Sequence, residues 1–410
     1  MGRLAINGGE KVRERAFPSW PVYDEREREA LNEVLESGKW WYGEKVREFE
    51  EKFAAYQDAN YGITTTNGTV ALEISLISAG VGAGYEVIIP SYTFVATATA
   101  VLKANAVPVF VDIEPETFNI DPDKIEEAIT DRTRAIIPVH FGGLPVDMDE
   151  ITAIARSHGL LIIEDAAHAW GSRWKGRGVG AIGDLGIFSF QMSKNITAGE
   201  GGIILTNDEE LADTCRSYTN CGRGKEKPWY EHYLLGGNYR MTEFQAAILL
   251  AQLTRLDEQV AIREENARRL DQGLSGLRGI SVVRRDPRVT RRSYHLYCFR
   301  YHAEQLDGVP RARFIEAMNA EGIPCYTGYP HPVYKNPLFT RKGSGPRYCP
   351  VSCPYYGGDM DYTEVSCPVA ERVCQEAVWL KQFVLLGTKE DMDDIIKAAE
   401  KVIENIDELR

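Results

Sequence analysis

Short apolar runs alternate with longer amphipathic segments through the first half of the chain. The runs are rich in the β-branched residues that favour buried strands, and the segments between them have the apolar periodicity of helices. Regular alternation of strands and helices predicts parallel pairing, with helices on both faces of one sheet. The strand-like runs are 61–66, 86–90, 108–113, 134–140, 160–165, 185–190 and 202–206, and the helix-like segments are 70–79, 96–104, 122–129 and 147–157.

Other helices are predicted on either side of this alternation. Asp24 followed by Glu27 is typical of a capped helix start, and the helix is expected to stop at Gly38. The apolar pattern of 242–277 predicts one long helical stretch, of the kind that bridges domains or subunits.

The last third of the chain predicts a smaller unit. Short strands, two helices and a Gly-, Pro- and Tyr-rich loop over 339–366 suggest an α+β arrangement. We therefore expect an α/β protein with a large domain over 1–270 and a small C-terminal domain over 271–410. The predicted elements here are strands 280–283 and 295–301, a helix over 312–320 and a terminal helix from Lys389.

Composition excludes several classes of function. The 410 residues are 44% hydrophobic and 26% charged, no apolar run reaches the length of a membrane span, and the N-terminus lacks a signal-peptide core. We expect a cytoplasmic protein without a membrane partner. The net charge of −13 argues against nucleic acid as a partner. Among eight cysteines, Cys349 and Cys353 have a ligand-like spacing, but no second pair accompanies them, so no metal is predicted.

Lys194 is the first candidate for chemistry. It follows the run 185–190 and precedes a turn of small residues that leads into 202–206. Most lysines are solvated surface charges, but one held between buried strands is costly unless its amine is paired, deprotonated or covalently used. Asp165 ends another apolar run. A lysine that forms a Schiff base and an aspartate that pairs with a pyridine nitrogen are what pyridoxal phosphate requires.

Other candidates fall at the ends of neighbouring strands, where ligands bind in open α/β sheets. The turn Asn67-Gly68-Thr69 before a helix suits a phosphate, and Ser189 could add a hydroxyl to it. Phe94 could lie against a flat ring, although core packing is the better explanation when Phe94 is taken by itself. Asp165 alone could be a helix cap. The order and spacing of these residues together are specific, whereas each alone is a weak signal.

A wider set of motifs carries a resemblance to a known family. They are Asn67-Gly68-Thr69, Ser91-Tyr92-Thr93-Phe94, His140-Phe141-Gly142-Gly143, Glu164-Asp165-Ala166-Ala167-His168, Ser189 with Lys194-Asn195, and Gly237-Asn238-Tyr239-Arg240. With them the chain resembles the DegT/DnrJ/EryC1/StrS family of pyridoxal-phosphate aminotransferases over almost its whole length. The resemblance implies the fold-type-I aminotransferase architecture and a homodimer with active sites at the subunit interface.

The resemblance also implies a role for each matching residue. Lys194 would hold the cofactor as a Schiff base, and Asp165 would pair with its pyridine nitrogen. Phe94 would stack on the ring, and His168 would lie near the ring hydroxyl. Because relatives that work as dehydratases carry His in place of the lysine, Lys194 predicts transamination, with pyridoxamine phosphate as the intermediate form of the cofactor. The phosphate would be held by Gly68, Thr69, Ser189 and, from the partner subunit, Asn238.

The substrate is less closely defined by the sequence. Gln191 stands where many sugar-nucleotide members have His, and together with Trp40-Trp41 and 377–380 it resembles the branch that aminates carbocycles. That branch contains glutamine:scyllo-inosose aminotransferases and 3-amino-5-hydroxybenzoate synthases. The change at Gln191 could equally be a repacking of the pocket. Tyr329, His331 and His295 are further possible substrate contacts.

The predicted reaction moves an amino group from glutamine or glutamate to a keto-cyclitol or keto-sugar. One alternative is a nucleotide-linked keto-sugar, whose diphosphate could be bound by Arg223, Lys225, Lys227 and Trp229. A second is a lyase that aromatises an aminocyclic acid with the same Lys194. A third is a pyridoxal-binding regulator without turnover, against which the acidic charge and the lack of a helix-turn-helix segment both count.

Overall fold

A seven-stranded sheet lies at the centre of the computed structural model, which describes residues 2–340, 350–358 and 360–410. The strands, in chain order, are β1 (Tyr61–Thr65), β2 (Glu86–Pro90), β3 (Val107–Val111), β4 (Thr133–Ile136), β5 (Leu161–Asp165), β6 (Arg173–Trp174), β7 (Arg177–Gly178), β8 (Leu185–Ser189), β9 (Gly202–Thr206), β10 (Ile280–Val282), β11 (Val289–Arg291), β12 (Leu296–Tyr301), β13 (Tyr326–Thr327) and β14 (Ala377–Lys381). The strand order of the central sheet is β1-β9-β8-β5-β4-β2-β3.

The sheet is mostly parallel, as the sequence predicts. Strands β3, β2, β4, β5 and β8 run parallel, whereas β9 is antiparallel to both β8 and β1. The reversal has a simple cause. Parallel neighbours need a long crossover, but β9 follows β8 through the Lys194 turn with no helix between them.

Helices cover both faces of this sheet. Neighbouring strand residues enter opposite cores: Ile88 packs in one apolar cluster and Ile89 in the other. The helices are α1 (Glu25–Ser37), α2 (Glu44–Tyr56), α3 (Gly68–Ser78), α4 (Val95–Lys103), α5 (Pro122–Ala128), α6 (Met148–His158), α7 (Glu209–Thr219), α8 (Glu243–Leu253), α9 (Leu256–Leu274), α10 (Arg311–Ala320), α11 (Pro337–Thr340), α12 (Pro368–Glu376) and α13 (Lys389–Glu404).

The predicted helix ends around α1 are confirmed. Asp24 caps the helix together with the Glu27 side chain, and Gly38 ends it in the left-handed region, at φ 65°.

The prediction of one helical stretch over 242–277 is wrong, because the chain breaks between α8 and α9. Thr254 turns its hydroxyl back onto the Ala251 carbonyl at 2.7 Å. Arg255 leaves the helical conformation, and its guanidinium forms a buried ion pair with Glu27 of α1. The break therefore aims a charged side chain at the first helix, which periodicity alone does not reveal.

A second sheet, β10-β12-β14-β13, is formed by the last third of the chain. Its core includes Leu270 and Leu274 of α9 and also Leu4 from the N-terminus. Helix α9 therefore crosses the expected domain limit at 270, and that limit stays a prediction. Part of the loop predicted over 339–366, residues 341–349 and 359, lies outside the described residues.

Within the described residues, no helix combines the length and apolar character needed to cross a membrane.

Candidate active site

A cavity of about 950 Å³ opens at the carboxyl ends of the parallel strands. One wall comes from the ends of β5 and β8 and the start of α3, and a second wall comes from β13, β14 and the segments beside them. The residues that the sequence places here and the structure brings together are Gly68, Thr69, Phe94, Asp165, His168, Ser189, Gln191, Lys194, His295 and Tyr329.

Lys194 projects from the turn between β8 and β9, where its backbone N–H donates to the Gln191 carbonyl at 2.9 Å. Its Nζ lies 5.8 Å from the centre of the Trp170 ring. Burial lowers the pKa of Lys194 from 10.5 to about 8, and the negative charge of Asp165 opposes this shift. The amine is therefore available in its unprotonated form far nearer neutral pH than an ordinary lysine.

Asp165 ends β5 in a buried position with two hydrogen bonds. Its Oδ2 accepts from the Thr97 hydroxyl at 2.9 Å, and its Oδ1 accepts from the Ala167 N–H at 3.2 Å. Burial raises the pKa of this carboxyl, while the Thr97 bond and the Lys194 charge lower it. A buried carboxylate that lines a cavity is well suited to a cationic ring nitrogen, because a bound cation offsets its lost hydration.

The start of α3 also lines the cavity. Asn67 caps the helix through a 2.9 Å bond from the Val70 N–H, and the first backbone N–H groups of a helix have no intrahelical acceptor. Ser189 lies against this turn so closely that a Cβ at Gly68 would come within 2.8 Å of the Ser189 Cβ. The turn, its N–H groups and the Ser189 hydroxyl fit a phosphate.

Phe94 and His168 also line the cavity. Phe94 is 57% exposed and lines the cavity, so it is free to cover a flat ring rather than pack in the core. His168 is buried, and its Nδ1 accepts from the Gly142 N–H at 3.4 Å. Burial lowers the pKa of His168 well below 6.5, and Lys194 adds to that shift, so the imidazole is neutral.

His295 packs on His168, with the ring centres 4.4 Å apart. Asn195 donates its amide to the Ser293 carbonyl at 2.8 Å and so presents its Oδ1 to His295 Nδ1, 3.1 Å away. His295 must therefore carry its proton on Nδ1. Burial, with the neighbouring His168 and Lys194, lowers the pKa of His295 well below 6.5.

Glu164 supports the site from beneath the sheet edge. It is fully buried and accepts bonds of 2.7 Å from each of three backbone N–H groups, those of Gly180, Ile182 and Gly183. His140 donates to it from Nε2 at 2.9 Å, since its Nδ1 accepts from a backbone N–H. Burial by itself raises the pKa of Glu164, but these bonds outweigh it and the net shift is downward.

Two predicted residues lie outside this cavity. His331 contacts the carbonyl of its neighbour Pro332 and does not line the site. Asn238 is exposed and pairs with Asn220, which leaves open its expected role in a partner's site. The four residues suggested for a nucleotide diphosphate (Arg223, Lys225, Lys227 and Trp229) do not line the cavity of their own chain either.

Several residues of the site could not be predicted from the sequence. Thr97, which bonds Asp165, lies inside a predicted helix without any motif. Tyr326 belongs to a strand of two residues, too short for a periodic signal, and Lys381 ends a strand that was not predicted. The sequence marks Trp379 only as a feature of the family branch, yet it lines the cavity together with Tyr326 and Lys381. Among the residues described, no three of His, Cys, Asp or Glu come together as a metal site.

Comparison with known proteins bears out the resemblance. A protein of Streptoalloteichus tenebrarius, provisionally named an L-glutamine:3-amino-2,3-dideoxy-scyllo-inosose aminotransferase, is 42% identical over 99% of both chains. The L-glutamine:2-deoxy-scyllo-inosose aminotransferase of Micromonospora echinospora is 39% identical over 100% of both. Among solved structures, 3-amino-5-hydroxybenzoic acid synthase matches with a TM-score of 0.85 and 34% identity, over 97% of this chain and 100% of the other.

These likenesses confirm the predicted fold-type-I architecture. The model of the DegT/DnrJ/EryC1/StrS aminotransferase family matches residues 21–356. The chain is therefore an aminotransferase and belongs to that family.

Proposed function

We propose that the protein uses pyridoxal phosphate to move the amino group of glutamine onto the ketone of a cyclitol. The observation that carries the proposal is the pairing, on one cavity wall, of a lysine whose pKa is about 8 with a buried aspartate. An amine of that kind reacts covalently with aldehydes near neutral pH, and a perturbed pair in a cleft is typical of catalysis.

The cavity fits this cofactor at both ends. The α3 turn with Ser189 suits the phosphate, and the Asp165 carboxylate suits the protonated ring nitrogen. When bound, pyridoxal phosphate supplies an electron sink for the carbon next to the amino nitrogen. Phe94 would cover one face of the ring, and the neutral His168 would lie beside the ring hydroxyl.

Lys194 does the proton transfer in this proposal. With a pKa of about 8, its Nζ would take the proton from the donor's Cα and deliver it to the cofactor carbon that bears the nitrogen. It would make the reverse transfer after the ketone has replaced the donor. Asp165 keeps its charge next to the ring nitrogen through the bonds from Thr97 and the Ala167 N–H. Glutamate is the alternative donor.

The choice of a cyclitol rests on the relatives. Two of them, alike over the full chain, are named for L-glutamine and for scyllo-inosose derivatives. Gln191 lies in the cavity, and its side-chain Oε1 accepts from the backbone N–H and the hydroxyl of Ser193 at 2.8 Å each. Its amide N–H groups are thus the part available to a hydroxylated ring. The likeness to 3-amino-5-hydroxybenzoic acid synthase keeps a lyase as the second candidate.

We further propose a homodimer in which Asn238 reaches the partner's phosphate site. Asn238 is exposed, and the adjoining segment 229–235 presents Trp229, Tyr230 and Leu235 to solvent, with Leu235 98% exposed. Exposed apolar side chains at this density are typical of a surface that another chain covers.

A substrate panel tests the proposal directly. Holoenzyme would be given glutamine with scyllo-inosose, with 2-deoxy-scyllo-inosose or with a nucleotide-linked keto-sugar, and separately an amino-dehydroshikimate. We expect an amino-cyclitol from the first two and no turnover by the Lys194→Ala variant. An aromatic product from the last would support the lyase instead, and full activity of Lys194→Ala would overturn the assignment.

A further inference from the structure

The amino donor brings a charge that the acceptor lacks. Glutamine carries an α-carboxylate, whereas a keto-cyclitol is neutral, so a site that serves both in turn needs a cation for the first. A carboxylate is held best by a lysine or arginine that has no other acidic partner. A cation in the cavity that the protein itself leaves unneutralised is therefore the candidate to bind the α-carboxylate of the donor.

Three lysines and no arginine line the cavity within the described residues. Lys194 is the reactive amine of the proposed function. Lys103 is already neutralised by an ion pair with Glu73 at 3.3 Å. Lys381 has no carboxylate within ion-pair distance in the described part of the chain.

The position of Lys381 is fixed by its strand. It ends β14, paired with Leu296 of β12, and Trp379 projects from the same face two residues earlier. Trp379 in turn pairs with Tyr326 of β13. The ammonium of Lys381 lies over the Tyr326 ring, 4.1 Å from its centre. That contact orients a flexible side chain without satisfying its hydrogen-bond donors.

We propose that Lys381 binds the α-carboxylate of the amino donor, with Tyr326 holding the ammonium in place. The inference rests on the proposed function, since it assumes that an amino acid is the donor. It assigns the donor's charged group to the wall formed by β13 and β14, which is distinct from the wall that carries Asp165 and Lys194. The neutral acceptor would use the same space without this contact.

The test isolates the donor half of the reaction. Holoenzyme is mixed with glutamine, or with 4-aminobutanamide, which is glutamine without its carboxylate, and conversion of the cofactor is followed by absorbance. In Lys381→Met we expect the glutamine concentration for half-maximal rate to rise about 10- to 100-fold, the effect of one lost charged hydrogen bond. The same change should leave 4-aminobutanamide almost unaffected, and Lys381→Arg should retain most of the glutamine affinity.

Lys335→Met is the matched control. Lys335 also lies over a tyrosine ring, that of Tyr334, but it pairs with Glu371 and does not line the cavity. The Lys335→Met variant should therefore depend on glutamine as the wild-type enzyme does. An unchanged glutamine dependence in Lys381→Met, or an equal loss for both amines, would overturn the inference. A selective loss in the acceptor half-reaction would overturn it too. In none of these cases would the proposed function fail, because wild-type turnover and its dependence on Lys194 are measured separately.

Discussion

Lys194 and Asp165 each shift the pKa of the other. Burial pulls the pKa of the lysine down and that of the aspartate up, and each charge moderates the shift of the other. The downward shift favours loss of the Lys194 proton, whereas the bonds from Thr97 and the Ala167 N–H favour the charged form of Asp165. A cationic ring beside Asp165 would remove the moderating charge, and Lys194 would then be still easier to deprotonate.

The rate at which the cofactor-free protein captures pyridoxal phosphate should therefore follow the ionisation of Lys194. Because the unprotonated amine is the nucleophile, the rate should rise with pH and be half-maximal near pH 8. In Asp165→Asn the midpoint should move to lower pH, since the charge that raises the pKa of Lys194 is lost. Stopped-flow absorbance measures both midpoints, and a small lysine derivative treated in parallel corrects for the ionisations of the cofactor.

Lys194→Ala is the control for this experiment and should show no covalent capture. A midpoint near the ordinary lysine value of 10.5 would contradict the proposed environment of Lys194.

Most residues of the candidate active site could be predicted because they follow apolar strands of ordinary length. Asp165 and Lys194 stand out as charges beside buried runs, and the capped turn at Asn67 has a local signature. Thr97 and Asn195 could not be found in this way. Their roles depend on side chains brought from distant segments, Thr97 to Asp165 and Asn195 to His295.

Elements determine how accurately these residues are placed. The seven-stranded sheet was predictable from its alternating pattern, whereas the break between α8 and α9 depends on the Arg255–Glu27 pair and the reversal of β9 depends on a missing crossover. Strand β5 illustrates a further demand on an element. Its last two residues are both acids, and Glu164 is bonded on the underside while Asp165 faces the cavity.

Glu164→Gln should destabilise the fold without removing a cavity residue. The glutamine amide would place its own N–H donors against backbone N–H groups that now donate to Glu164 at 2.7 Å. The acceptor for the His140 bond would also lose the negative charge of the carboxylate. We expect the free energy of unfolding, measured in urea, to fall by about 2–4 kcal/mol. Glu126→Gln, which alters an exposed contact with His158, should change it far less.

The same substitution should alter the response to acid. Since the fold lowers the pKa of Glu164, its stabilisation is present above the ordinary glutamate pKa of 4.5 and is lost as the pH falls below that value. Glu164→Gln should therefore lose less stability than wild type on acidification. Equal unfolding energies for variant and wild type at neutral pH would contradict the role given to Glu164.

At the scale of the whole molecule, the proposed dimer completes each site with Asn238 from the second copy. Lys194→Ala and Asn238→Ala should each be inactive when cofactor is limiting. Mixed and reassociated in equal amounts, they should regain about a quarter of wild-type activity, because half of the dimers would each contain one intact site. Size-exclusion chromatography with light scattering checks the dimer itself.

No recovery after proven subunit exchange would show that Asn238 does not act in the partner's site. The sequence could suggest this arrangement only through the family resemblance, since the exposed aromatic segment beside Asn238 has no periodic pattern.

The two-walled construction of the cavity has a consequence for how such an enzyme diversifies. The residues proposed to hold the cofactor and move protons come from strand ends of the large sheet, whereas Tyr326, Tyr329 and Trp379 come from the later part of the chain. Mutations in that later segment can retune substrate preference while the chemistry is inherited intact. Directed evolution toward new ketones should begin with libraries at Tyr329 and Trp379, leaving Tyr326 to its proposed role beside Lys381 and the wall with Lys194 and Asp165 untouched.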